Sequence, residues 1–66
     1  MKVKELLNLM VSSDKVRILD SKLLTIHEGK IIDMEINLDD EEVEQIYPNL
    51  NTLTIFLKKN FIKGLR

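Results

Sequence analysis

The chain has 66 residues, 44% of them hydrophobic and 32% charged, with no cysteine and a formal net charge of −1 at pH 7. Such a length holds one domain (residues 1–66) with one small core, and the missing thiols exclude disulfides and a cysteine-ligated metal as its support. No run of about 18 apolar residues is present, so no membrane span is expected.

The elements follow in chain order. Val3, Leu6, Leu7 and Met10 recur at i, i+3, i+4 and i+7, the single-face pattern of an amphipathic helix. Leu9 and Val11 broaden its apolar side, and Ser12, Ser13 and Asp14 mark its exit. The opening Lys2-Val3-Lys4 followed by leucines looks briefly like a secretory leader. Asn8 interrupts its apolar run and no small-residue cleavage pattern follows, so it reads as part of the fold of a soluble, cytoplasmic protein.

Residues 15–20 alternate, with Val16 and Ile18 opposed to Lys15, Arg17 and Leu19. Asp20-Ser21-Lys22 supplies turn residues before a second alternating run, Leu24-Thr25-Ile26-His27, which Glu28-Gly29 closes. The two runs predict a β-hairpin. Two readings stand for the next stretch. Ile32, Met34, Ile36 and Leu38 alternate with Asp33, Glu35 and Asn37 as in a half-buried strand, or the stretch is a partly helical connector. Residues 39–47 are open as well. Asp39 and Glu42 match a capping box with Pro48 ending the helix, whereas Glu42 to Tyr47 also suits a strand. Past the turn at Pro48-Asn49-Leu50-Asn51, Leu53, Ile55 and Leu57 alternate with Thr52, Thr54 and Phe56 in a final strand.

Charge is strongly segregated. Residues 1–32 carry six cations and four acids, residues 33–57 seven acids and no cation, and residues 58–66 four cations. The acids are Asp33, Glu35, Asp39, Asp40, Glu41, Glu42 and Glu44; the cations of the tail are Lys58, Lys59, Lys63 and Arg66. A field divided in this way selects what approaches the molecule. On a strand, like-facing carboxylates repeat at about 6.6–7 Å, close to phosphate spacing, whereas a helix start would bunch them.

Several segments together resemble small, uncharacterised proteins of phages and mobile elements of Gram-positive bacteria. They are Val3-Lys4-Glu5-Leu6-Leu7, Lys15-Val16-Arg17-Ile18, Glu28-Gly29-Lys30 with Asp33, and Val43 and Ile46-Tyr47-Pro48 before Leu53-Thr54-Ile55. The resemblance spans roughly residues 2–57. It implies a helix followed by two hairpins and a phage or mobile-element setting, and it transfers no catalytic residue. Glu35 stands where those relatives tend to carry a proline before a short helix, and the tail after Lys58 extends beyond them.

Little in the chain points to catalysis. Only two glycines are present, which excludes a glycine-rich phosphate loop. His27 is the single histidine and has no companion at ligand spacing; it reads as a solvated strand residue on the face opposite Ile26. Ser12, Ser13 and Ser21 suit helix-end and turn roles. The run Asp39-Asp40-Glu41-Glu42 lacks the alternating ligands and central glycine of a calcium loop. No enzymatic activity, metal or cofactor is expected.

The expected fold is α+β: an N-terminal helix packed on a small antiparallel sheet of three or four strands built from β-hairpins. Its expected core is Val3, Leu6, Leu7, Met10, Val16, Ile18, Ile26, Val43, Ile46, Leu53, Ile55 and Leu57. The expected function is non-enzymatic: binding of a basic host protein, such as a CRISPR effector or another defence nuclease, through the seven acids. No direct nucleic-acid binding is expected, since the basic tail 59–66 alone would bind weakly and in a salt-sensitive way. The alternative is a structural or assembly accessory that self-associates, as a homodimer, through apolar residues such as Phe56, Phe61 and Ile62.

Overall fold

A computed structural model describes residues 1–59. The elements are α1 (Val3–Leu7), β1 (Lys15–Leu19), β2 (Thr25–Lys30), a 3-10 turn (Ile31–Asp33), β3 (Val43–Pro48) and β4 (Thr52–Leu57). The strands form one mixed sheet in the order β2-β1-β4-β3. β1 pairs antiparallel with β2, and β4 antiparallel with β3, but the central pair β1–β4 is parallel. The α+β class and four strands are therefore present, whereas the sheet is not wholly antiparallel as expected. A parallel pair needs a long crossover; here β2, the connector at residues 34–42 and β3 all lie between the two central strands.

Strand order explains burial. The two central strands carry Val16, Ile18 and Ile55, all fully buried, with Val16 opposite Leu53 and Ile18 opposite Ile55. Leu57, Leu38, Val3 and Leu6 complete one cluster, and Leu7, Met10, Ile26, Ile31, Met34, Ile36, Val43 and Leu53 pack around it partly buried. Ile46 is a correction to the expected core. It pairs with Ile55 yet remains 39% exposed, because β3 is an edge strand with no neighbour beyond it among the described residues.

Helix α1 is shorter than its apolar periodicity suggests and ends at Leu7, with Asn8 as its C-cap. Leu9 and Val11 are consequently exposed. No Ser, Thr, Asp or Asn caps its start. Instead the Glu5 carboxylate accepts the Lys2 N–H at 2.6 Å. Carbonyls of the connector take the next two donors, Val3 N–H to Glu41 O and Lys4 N–H to Asp39 O. Helix-start N–H groups need such partners, and here they fasten the N-terminus to the acidic segment. Val43 N–H donates to Met1 O and an isolated bridge joins Lys2 to Glu42.

Residues 31–42 form neither a third strand nor a capped helix. After the 3-10 turn, Met34, Ile36 and Leu38 point inwards while Glu35 and Asn37 are exposed, so the two-residue alternation governs facing without a partner strand. Asn37 Oδ1 accepts the Asp39 N–H at 2.9 Å, and Glu41 N–H donates to Leu38 O. That local turn, anchored on the buried Leu38, displaces the expected helix at Asp39. Pro48 ends a strand, not a helix.

Candidate acidic docking surface

The seven acids are distributed by the backbone into three settings. Asp33 closes the 3-10 turn and Glu35 lies on the extended connector; both are exposed and line a concavity of about 440 Å³ with Ile26, His27 and Ile36. Asp39 and Asp40 occupy an exposed turn, with Glu41 and Glu42 following it towards β3. Glu44 lies at an irregularity of β3, where Val43 faces Leu57 and Gln45 faces Phe56, leaving Glu44 opposite no residue of β4.

Ion pairs divide the seven further. Lys4 Nζ lies 3.8 Å from Asp40, Lys59 Nζ 3.6 Å from Glu41, and the Met1 amino group 3.5 Å from Glu42. Exposed pairs of this kind contribute about 0–1 kcal/mol each, so they fix local charge more than stability. Asp33, Glu35, Asp39 and Glu44 have no ion-pair partner among the described residues.

The regular row of carboxylates that a strand would have produced is absent, because residues 33–42 turn twice and pair with no strand among the described residues. A run of phosphates is therefore not imitated by spacing. What the segment presents instead is an irregular, discontinuous acidic ridge, of which the part from Asp39 to Glu42 is held by the buried Leu38 and by the hydrogen bonds to α1.

His27 also departs from expectation. Ile18 faces His27 and Leu19 faces Thr25, so Ile26 is skipped and the β2 alternation is broken by a bulge. Ile26 and His27 are both half-buried and both line the Asp33–Glu35 concavity, instead of occupying opposite faces. The His27 Nε2–H donates to Lys30 O at 3.1 Å, which accounts for one ring nitrogen. No group of three or more His, Asp or Glu side chains capable of holding a metal occurs among the described residues.

Two features were missed in the sequence. Asp20 is 2% exposed, the single buried charged residue among those described. Its Oδ1 accepts the N–H groups of Lys22 (2.8 Å) and Leu24 (3.0 Å) and so shapes the β1–β2 turn, in which Leu23 adopts φ +67°. The second is a groove of about 480 Å³ beside β3 and β4, where Tyr47 and Phe56 meet edge to face at 5.5 Å. Cross-strand pairing of Tyr47 with Thr54 and of Phe56 with Leu19 puts these rings on the face away from the buried cluster.

The basic tail falls largely outside the described residues: Phe61, Ile62, Lys63 and Arg66 lie beyond Lys59. Among the described residues no helix is long and apolar enough to cross a membrane. Comparisons with protein-family models, with curated proteins and with solved structures found no match to this chain.

Proposed function

We propose that the protein is a non-enzymatic binding protein whose acidic ridge docks on a basic partner protein. One observation carries this reading: Asp33, Glu35, Asp39 and Glu44 are exposed and have no ion-pair partner among the described residues, and the backbone at Asp39 and Glu41 is hydrogen-bonded to the start of α1. Exposed acids without a counter-charge favour fast, specific encounter with an oppositely charged surface. The resemblance to proteins of phages and mobile elements suggests the setting, a host cytoplasm, and the class of partner, a basic defence nuclease such as a CRISPR effector.

The test is capture from a lysate of Gram-positive cells with the immobilised chain and with a variant carrying Asp33→Lys, Glu35→Lys, Asp39→Lys and Glu44→Lys. The three acids engaged in ion pairs are left intact so that the N-terminal contacts persist. The wild-type chain is expected to retain a basic protein at about 0.1 M salt and to lose it at about 1 M, where the Debye length falls to about 3 Å. Equal capture by the variant, with its circular dichroism unchanged, refutes the reading.

A second reading, an assembly accessory that self-associates as a homodimer, is favoured by apolar side chains at the other end of the sheet. Leu9, Val11 and Leu50 are exposed there, Leu50 almost completely, and Met10, Leu50 and Leu53 line a concavity of about 430 Å³. Sedimentation of the full chain distinguishes the two: a dimer that Leu9→Ser and Leu50→Ser dissociate supports self-association, and a monomer at all concentrations removes it.

A further inference from the structure

We propose that the open face of the sheet binds single-stranded nucleic acid, phosphates on Lys15 and Lys30 and a base on Tyr47. Val3, Leu6 and Leu38 cluster with Val16, Ile18, Ile55 and Leu57, so α1 and the connector lie on the opposite face. Strand register defines what the open face presents. Lys15 is paired with Lys30 and Thr52, and Arg17 with Glu28 and Thr54. Thr54 is in turn paired with Tyr47. One row across the four strands is therefore Glu28, Arg17, Thr54 and Tyr47, with Lys30, Lys15 and Thr52 in the next row. Neighbouring strands lie about 4.8 Å apart, so cation, hydroxyl and aromatic ring follow one another within about 10 Å.

The charge at one end of this face calls for an anion. Lys15 and Lys30 stand directly opposite each other in an antiparallel pair, where like charges are unfavourable. Both are exposed, and neither has an ion-pair partner among the described residues. Arg17 adds a third cation, held only by a long contact of 4.0 Å from its Nε to Glu28. A phosphate between the two lysines removes their repulsion. The other end offers a ring. Tyr47 is 51% exposed, with Phe56 edge to face at 5.5 Å. An open aromatic side chain is a stacking platform for a base of any kind, and the threonine hydroxyls between the two ends suit sugar or phosphate oxygens. A duplex keeps its bases stacked on each other, so only a single strand uses both ends of the face.

The basic tail has no part in this site. Pairing of β1 with β2 and β4 assembles cations and hydroxyls that are dispersed in the chain from Lys15 to Thr54. With so few contacts, the expected affinity is that of non-specific binding, with a dissociation constant of about 10⁻⁴–10⁻⁶ M. Docking through the acids is a separate property, and neither depends on the other.

The test is titration of the full chain with single-stranded oligothymidylate of about twelve nucleotides at about 0.05 M salt. Tyr47 is the only tyrosine and the chain has no tryptophan, so intrinsic emission reports on this ring alone. Stacking of a base is expected to quench it. Three phosphate contacts give a slope of log affinity against log salt of about −2, a fall of about 10- to 20-fold between about 0.05 and 0.2 M. In a Lys15→Gln, Lys30→Gln variant the slope should shrink to about −0.7. Tyr47→Ala, followed by anisotropy of a labelled oligonucleotide, should bind at least about fivefold more weakly with its circular dichroism unchanged. A dissociation constant above about 1 mM at low salt overturns the proposal, as does binding that leaves tyrosine emission unchanged. Equal affinity of the lysine variant places the site elsewhere, and equal affinity for a duplex of the same length makes the face a general anion patch; either result also overturns it.

Discussion

Replacing Asp20 with alanine should cost this domain a large share of its stability. The side chain is buried and its Oδ1 takes two backbone N–H groups of the β1–β2 turn, at 2.8 and 3.0 Å. A hydrogen bond to a charged acceptor contributes roughly 1.5–3 kcal/mol, and losing the acceptor leaves its donors to be satisfied elsewhere. Lys22 and Leu24 are exposed, so water reaches the freed N–H groups and the expected loss falls below the summed range of about 3–6 kcal/mol, at about 2–3 kcal/mol. A domain of this length has roughly 3–10 kcal/mol in total. The corresponding fall in Tm is on the order of 10–20 °C. Asp20→Asn keeps a carbonyl acceptor but loses the charge; neutral bonds are about half as strong, so its loss should be about 1–1.5 kcal/mol. Urea unfolding followed by far-UV circular dichroism, with tyrosine emission as a second probe, measures both changes if the m-value is preserved. A loss below about 0.5 kcal/mol for Asp20→Ala, the level of an ordinary surface change, would refute the assigned role of the carboxylate.

Other substitutions separate burial from sequence pattern. Ile18→Ala, in a central strand at 0% exposure, should lose about 2–5 kcal/mol, whereas Ile46→Ala on the edge strand should lose under about 1 kcal/mol; equal losses would contradict the strand order. Gly29 adopts φ +143°, and a methyl group at its Cα would meet no atom within 4 Å, so Gly29→Ala should lose about 1–3 kcal/mol through backbone strain alone. A neutral Gly29→Ala in urea unfolding would show that the strand relaxes to an ordinary conformation.

Strands β1, β2 and β4 were legible because each alternates over at least four residues and ends at turn-forming residues. β3 was not separable from a helix: Asp39 and Glu42 fit a cap, while Val43 to Tyr47 fit a strand. Tertiary partners decide it, since Val43 N–H reaches Met1 O and β4 supplies the ladder. The parallel β1–β4 pair leaves no local mark in the sequence, because its partners are separated by more than thirty residues. Leu38 enters the core only because the connector crosses the sheet, and the inward turn of Asp20 is hidden by residues that read as a turn whether buried or exposed.

For the candidate site, composition was legible and arrangement was not. The seven acids announce a negative surface, but only the structure separates Asp40, Glu41 and Glu42, engaged with Lys4, Lys59 and the Met1 amino group, from the four with no ion-pair partner among the described residues. The bulge at Ile26 likewise reverses the expected relation of His27 to its neighbour and brings it beside Asp33 and Glu35.

The most direct test of the acidic ridge is the salt dependence of affinity for a captured basic partner, compared between the wild-type chain and a variant with Asp33→Asn, Glu35→Gln, Asp39→Asn and Glu44→Gln. These changes remove charge and keep size. At about 0.2–1 kcal/mol for each exposed charge pair, the four together contribute roughly 1–4 kcal/mol, so the variant should bind at least about fivefold more weakly at low salt. Its affinity should also change less between about 0.1 and 1 M salt. Equal affinity and an equal salt slope for the two chains would contradict the ridge as the docking surface.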